Sequence, residues 1–341
     1  MNRLPLTPCL VATLLFGCGD GRHFDDERST SDPGGGSGGA STASSDTPAG
    51  VTGGNLEMGQ TWGEGLQVEV SGLRWSDTGE IELLLGAVDP VTHTAVGALG
   101  DDAFSFAEDG QGLGAEVLFD VQREQNLRVA VVLDLSRSMS ASNAVEPLQQ
   151  AARGLMDAVP SGSKLALVRF ATTYELVQDF TGDLAALSSD VEALTPNEDR
   201  TGQFTNLWGA LTYAGSLFDG GTAGEGRVVV AFTDGRDNVA EADAAAAKAA
   251  LTEAGALVYA VGLGQELDRD ALKALAGETR YAETARPAAL GPLFNDIGQR
   301  LGQLVRLHYT TPKMHGQHTL AVTVDAGNGR RAGFDVAFTM E

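Results

Sequence analysis

The sequence predicts an α/β protein: a doubly wound, mostly parallel sheet flanked by an all-β, sandwich-like region and preceded by a disordered N-terminal linker. Three observations carry this. Between 125 and 306, near-continuous apolar runs alternate with amphipathic helical stretches, the pattern of parallel strands buried on both faces and joined by helices. On either side, 61–124 and 307–341 show the period-two alternation of half-buried strands, with no helical pattern of useful length. Ahead of both, 18–60 is dominated by Gly, Ser and Thr. Such a stretch buries too little apolar area to offset its ordering entropy.

Residues 1–17 read as an export signal. Arg3 precedes the apolar run Leu10-Val11-Ala12-Thr13-Leu14-Leu15-Phe16, which is too short for the roughly 20 residues that a bilayer span needs. The run ends Leu15-Phe16-Gly17-Cys18, which resembles a bacterial lipoprotein box, although Phe16 departs from the usual small residue. The resemblance implies that Cys18 is acylated and becomes the N-terminus. It also implies an exported, lipid-anchored protein at the outer membrane or cell surface, with the periplasmic face as an alternative. Cys9 and Cys18 are the only two cysteines. Cleavage before Cys18 leaves one thiol, which carries lipid, so neither a disulfide nor a multi-Cys zinc site is expected. The linker then acts as a tether of about 40 residues with an r.m.s. span of roughly 35 Å.

In 61–124, Leu66, Val68 and Val70 alternate with polar residues, Asp77-Thr78-Gly79 reads as a turn, and Ile81 to Leu85 and Val117 to Val121 read as strands. In 307–341, Leu320, Val322 and Val324 are followed by Asn328-Gly329, a two-residue hairpin turn, and by Phe334, Val336 and Phe338. A lone hairpin is marginal in water. The two segments are therefore expected to share one antiparallel sandwich with the central domain inserted between them, two separate β units being the alternative.

The central segment 125–306 predicts strands at 127–133, 164–170, 227–232 and 256–261. Helices are expected at 145–159, 207–218, 240–254, 269–276 and 288–307. Ligands of such sheets bind beyond the carboxyl ends of the strands. There the sequence places Asp134, Ser136 and Ser138 after the first strand, Asp234 within Thr233-Asp234-Gly235 after the third, and Thr205 at the head of a helix. All five are hard oxygen donors, a set that suits Mg²⁺, Mn²⁺ or Ca²⁺ and disfavours zinc or copper. Helix capping explains one or two of them, but not five on three loops.

Asp-x-Ser-x-Ser after an apolar strand, then Phe204-Thr205-Asn206-Leu207, then Phe232-Thr233-Asp234-Gly235, resembles a von Willebrand factor type A domain. The β segments resemble those that flank such domains in secreted bacterial proteins. The resemblance implies a metal-ion-dependent adhesion site in which Ser136, Ser138 and Thr205 ligate directly, while Asp134 and Asp234 act directly or through water. It implies Mg²⁺ as the first choice of cofactor. It also implies a protein partner whose Asp or Glu completes the coordination sphere. Three hydroxyls and two carboxylates leave little excess negative charge, so an incoming carboxylate is not repelled.

The chain has 23 basic and 46 acidic residues and a net charge of −23, which excludes sequence-independent binding to nucleic acid. Gly162-Ser163-Lys164 lacks the upstream Gly of a phosphate loop, and Gly262-Leu263-Gly264 lacks the third Gly of a dinucleotide site. His315 and His318 read as surface histidines, Asp237 and Asn238 as loop surface, and Arg137 as solvated. The expected function is non-enzymatic: a cell-envelope lipoprotein that binds a protein partner through a divalent cation. An assembly or scaffolding factor and a metal-dependent hydrolase are the alternatives.

Overall fold

Alternate buried side chains along the flanking segments produce two antiparallel sheets that bury one another's faces. The computed structural model describes residues 57–75, 79–97, 99–113, 119–196, 204–219, 225–239, 241–313 and 315–340. The export signal, Cys18 and most of the Gly/Ser-rich stretch lie outside the described residues. Strands β1 (Glu57–Glu64), β2 (Gln67–Trp75), β3 (Glu80–Val88), β4 (Phe104–Glu108), β5 (Gln111–Gly112) and β6 (Phe119–Arg123) precede the central segment. Strand β1 begins inside the stretch read as linker.

The central segment follows in alternation: β7 (Leu127–Asp134), α1 (Arg137–Ala141), α2 (Val145–Ala158), β8 (Lys164–Phe170), β9 (Tyr174–Thr181), α3 (Leu184–Glu192), α4 (Leu207–Ser216), β10 (Gly226–Thr233), α5 (Ala244–Glu253), β11 (Leu257–Leu263), α6 (Arg269–Ala276), β12 (Tyr281–Thr284) and α7 (Leu290–Leu301). The chain closes with β13 (Val305–Thr310), β14 (Gly316–Asp325) and β15 (Arg331–Met340).

The central sheet has the order β12-β11-β10-β7-β8-β9. It is parallel except for β9, which runs antiparallel along the edge of β8. Every side chain of β11, and all of β7 and β10 but one each, is buried, because helices cover both faces. Leu148, Leu155, Leu187 and Phe294 from α2, α3 and α7 pack on one face. Leu211, Ala214, Leu251 and Leu272 from α4, α5 and α6 pack on the other. This is the doubly wound α/β arrangement that the alternating pattern predicts.

The flanking strands form sheets of order β1-β15-β14-β4-β5 and β2-β3-β13-β6, and each sheet draws strands from both sides of the central segment. Phe104, Phe106, Val322 and Phe334 meet Leu83, Leu85, Leu307 and Tyr309 in a shared core, with the Phe106 and Tyr309 rings stacked at 6.4 Å. Asn328 and Gly329 are the centre of the β14–β15 turn, both at positive φ, as a hairpin turn of this hand requires.

The helix expected over 288–307 stops at Leu301, and Val305, Leu307 and Tyr309 alternate inward along β13 instead. Leu301, Leu304 and Val305 satisfy a helical spacing by coincidence. The strand period wins because β3 and β6 are both available to pair with β13.

The two crossings into and out of the central segment lie together at the amino-terminal edge of β7. The Glu124 amide donates to the Leu304 carbonyl at 2.8 Å, and the Glu124 carboxylate takes Arg306 Nε at 2.8 Å. Beside them, Arg300 in the last turn of α7 donates from Nη2 to Glu69 of β2 and from Nη1 to the Thr279 carbonyl, each at 2.7 Å. Thr279 Oγ1 donates to the same Glu69 oxygen. Arg300 and Glu69 are 6% and 2% exposed.

Candidate metal centre at the carboxyl edge of the sheet

At the opposite, carboxyl edge, adjacent parallel strands β7 and β10 end in Asp134 and Thr233. The loops that leave them carry four of the five expected ligands. Asp134 is fully buried. Its Oδ1 accepts the Ser136 amide at 2.9 Å and its Oδ2 the Thr233 hydroxyl at 2.7 Å. Ser136 is the N-cap of α1, yet its side chain makes no capping bond. Instead, its Oγ lies 3.0 Å from Ser138 Oγ. Both hydroxyls approach Asp234 Oδ1, Ser138 at 2.7 Å and Ser136 at 3.4 Å. Thr205 is brought alongside by the loop before α4: a Cβ on Gly235 would stand 3.4 Å from its Oγ1. Asp134, Ser136 and Thr205 are buried, Asp234 is half-buried and Ser138 is exposed, so the cluster has a floor and an open mouth.

The donor triangle Ser136 Oγ, Ser138 Oγ and Asp234 Oδ1 has edges of 2.7–3.4 Å. These edges are hydrogen-bond distances between the oxygens themselves, so the three donors converge on one point at the mouth of the cluster. The electrostatics agree with a cation-seeking site. Burial, then the charge of neighbouring Asp134, pushes Asp234 up to about 7, and burial raises Asp134 as well.

Residues without a role in the sequence reading hold this arrangement. Thr233 fixes the Asp134 carboxylate. Asn238 Oδ1 accepts the Thr205 amide at 2.7 Å and its own amide donates to the Thr205 carbonyl at 3.0 Å, a two-bond clamp. Asp237 accepts the Trp208 amide at 3.0 Å. Asn206, fully buried, caps α4 through Gly209 and donates to Glu241 at 2.5 Å. Asp237 and Asn238 lie on the surface loop as expected, but Asn238 holds Thr205 and Asp237 holds the first turn of α4. Their only sequence signal is that short Asx side chains favour local backbone bonds.

A second titratable cluster lies in the β region, where Glu108, Asp109 and His318 offer ligand atoms within 4.8 Å of one another. By distance alone these three could hold a divalent ion. Their donors are already engaged. Lys313 Nζ sits on Asp109 Oδ2, and Tyr309 and Thr311 donate to Glu108. His318 Nε2 faces the His315 carbonyl at 3.0 Å while Nδ1 faces Asp109 at 2.9 Å. A carbonyl and a carboxylate both only accept, so both ring nitrogens carry protons. The Asp109 bond raises the His318 pKa and the same contacts hold Asp109 well below the ordinary carboxylate range. His318, read from the sequence as a surface histidine, is 9% exposed. The β4–β14 pairing brings it to the Asp109-Gly110 turn.

Comparison with curated proteins gives no match to the chain. Several solved structures are similar to the chain at low identity. The chain is similar to proximal thread matrix protein 1 from the mussel byssus, with 20% identity and a TM-score of 0.49 over 57% of this chain and 51% of that one. It thus spans about half the length of that protein. A further structure of the mussel protein has a zinc-occupied metal-ion-dependent adhesion site motif. A von Willebrand factor type A protein from Catenulispora acidiphila is 13% identical, with a TM-score of 0.48 over 81% of this chain and 74% of that one. The conserved hypothetical protein BatB from Bacteroides thetaiotaomicron is 20% identical, with a TM-score of 0.43 over 51% of this chain and 98% of that one. A family model, the von Willebrand factor type A domain, matches residues 129–236, the stretch from β7 to the loop after β10 that carries all five clustered oxygen donors.

Proposed function

We propose that the chain is a cell-envelope lipoprotein that binds a protein partner, without catalysis, through a divalent cation held by Asp134, Ser136, Ser138, Thr205 and Asp234. The observation that supports it most is the open triangle of converging oxygens over a buried carboxylate floor. A bound Mg²⁺ would supply a Lewis-acidic position for a carboxylate of the partner. The chain's own residues do the rest. Ser136 and Ser138 offer neutral hydroxyls, and Thr205 is presented by the Asn238 clamp. Asp134 stays oriented by Thr233 and the Ser136 amide, so its charge acts on the cation from below. The exposed mouth at Ser138 is where the partner approaches.

The envelope location rests on the Leu15-Phe16-Gly17-Cys18 box, with Cys18 as the lipidated residue. Among the described residues no helix is long and apolar enough to cross a membrane. Thermal melts of the full chain in EDTA and in Mg²⁺, Mn²⁺ or Ca²⁺ test the site. A ligand at 100 times its Kd stabilises the folded state by about 2.7 kcal/mol. Asp134→Ala with Asp234→Ala should remove the rise. An equal rise in that variant would refute the assignment.

A further inference from the structure

Three exposed residues stand next to the donors of the candidate centre in the chain without serving as donors to it. Arg137 separates Ser136 from Ser138, and Arg236 follows Asp234-Gly235; both are exposed. Phe204, directly before Thr205, is 48% exposed, one of three large hydrophobic residues so exposed among the described residues. Of the others, Trp62 has a backbone to lie against: a Cβ on Gly333 would meet its ring at 2.6 Å. Val91 belongs to the turn built on Asp89.

The two arginines are unusual for their setting. Acidic residues outnumber basic ones two to one in this chain. Elsewhere along the same edge of the sheet arginines are neutralised: Arg169 by Glu175, and Arg269 by Glu283. Among the described residues Arg137 and Arg236 make no hydrogen bond or ion pair. A guanidinium presents a planar fork that matches a carboxylate. Two of them flank the oxygen cluster in the chain, each exposed.

Resting on the cation-dependent reading above, we infer that the partner presents an acidic segment with two or more carboxylates and a neighbouring apolar side chain. One carboxylate completes the cation's coordination. A second is taken by Arg137 and Arg236. The apolar side chain covers Phe204. Two exposed guanidinium groups at the mouth would help a chain of net charge −23 to accept an acidic ligand.

The test uses the full chain in Mg²⁺ and two fluorescently labelled peptides, read by anisotropy. One is Gly-Ser-Leu-Asp-Glu-Asp-Gly-Ser. The other is Gly-Ser-Leu-Asp-Gln-Asn-Gly-Ser, which keeps the Leu and a single acidic side chain. The first should bind about tenfold tighter, with the advantage shrinking as salt is added. Arg137→Ala with Arg236→Ala should bring the two peptides to within about twofold while leaving the Mg²⁺-induced rise in melting temperature unchanged. Phe204→Ala should weaken both peptides, since both carry the Leu. Equal binding of the two peptides by the parent chain, binding of neither, or a preference retained in the arginine variant would overturn the inference. EDTA separates the two claims. If it leaves the peptide preference intact, and the arginine variant still loses it, the cation reading fails and the acidic-segment inference stands.

Discussion

Asp234→Asn should make the metal-free protein more stable above neutral pH while removing its response to Mg²⁺. Asp234 is half-buried beside Asp134, which is fully buried, and both carboxylates are raised from their ordinary range. The Asp234 pKa moves from 3.8 in the unfolded chain to about 7. A folded-state pKa above the unfolded one means that the native state holds the extra proton between those values. Stability is fully present below about pH 4 and is lost as pH rises through about 7. At 1.36 kcal/mol per unit, ionising Asp234 in the folded, metal-free protein costs up to about 4 kcal/mol. Asn keeps an oxygen that can accept from Ser138 and Ser136, so the variant should recover about 2–4 kcal/mol at pH about 8. Urea unfolding in EDTA across this pH range measures it. The parent should lose stability with rising pH, and the variant should not. Added Mg²⁺ should flatten the parent's slope, because the cation takes the place of the proton. A parent profile that is flat in EDTA, or a variant no more stable than the parent above neutrality, would refute the reasoning.

Other consequences lie away from the site. Arg300→Met leaves Glu69 buried with only Thr279 as donor and should cost about 3–5 kcal/mol, whereas Glu69→Leu combined with Arg300→Met should come close to neutral; denaturant titrations of the cycle check this. A Cβ on Gly298 would lie 2.4 Å from Ala158 Cβ where α7 crosses α2, so Gly298→Ala should lower the melting temperature, by an overpacking cost of about 1–3 kcal/mol partly offset by better helix propensity. Cys18→Ala should shift the protein out of the membrane fraction on cell fractionation, and retention there would refute the lipid anchor.

The fold class was legible because the buried strands β7, β10 and β11 read as continuous apolar runs, a signal that follows directly from burial on both faces. The elements that escaped reading lack it. Strand β9 is a half-buried edge strand whose exposure follows no period. Strand β12 has four residues. Helix α3 buries only Leu187 and Val191, with Leu184 partly buried against the same core, and is marked chiefly by its Asp183 cap. At the site, Asp134, Ser136, Ser138 and Asp234 were readable because each follows an apolar strand at short range. Thr233, Asn206 and Asn238 were not, since their partners lie on other loops and only the tertiary fold joins them. His318 shows the same limit, with a turn at Asp109 on one side and the His315 carbonyl on the other deciding its protonation.

The site and the β region occupy opposite ends of the same strands. Both crossings, at Glu124 and Leu304, and the Arg300–Glu69 pair gather at the amino edge of the sheet, while Asp134 closes its carboxyl edge. Strand β7 has eight residues, so about 26 Å separates the two regions along it. Groups so far apart with no shared partner should act independently. The stabilisation from Asp234→Asn and the loss from Arg300→Met should therefore add, to within about 0.5 kcal/mol, in the double variant. Mg²⁺ should raise the melting temperature of Arg300→Met as much as that of the parent. The element that could break this additivity is α7, because it runs the length of the domain from Leu290 and carries Arg300 in its last turn. A coupling above about 1 kcal/mol would mean that α7 has two packings, one favoured by the filled site and one by the Glu69 contact. Additivity would show instead that the candidate centre and the Arg300–Glu69 contact stabilise the chain independently.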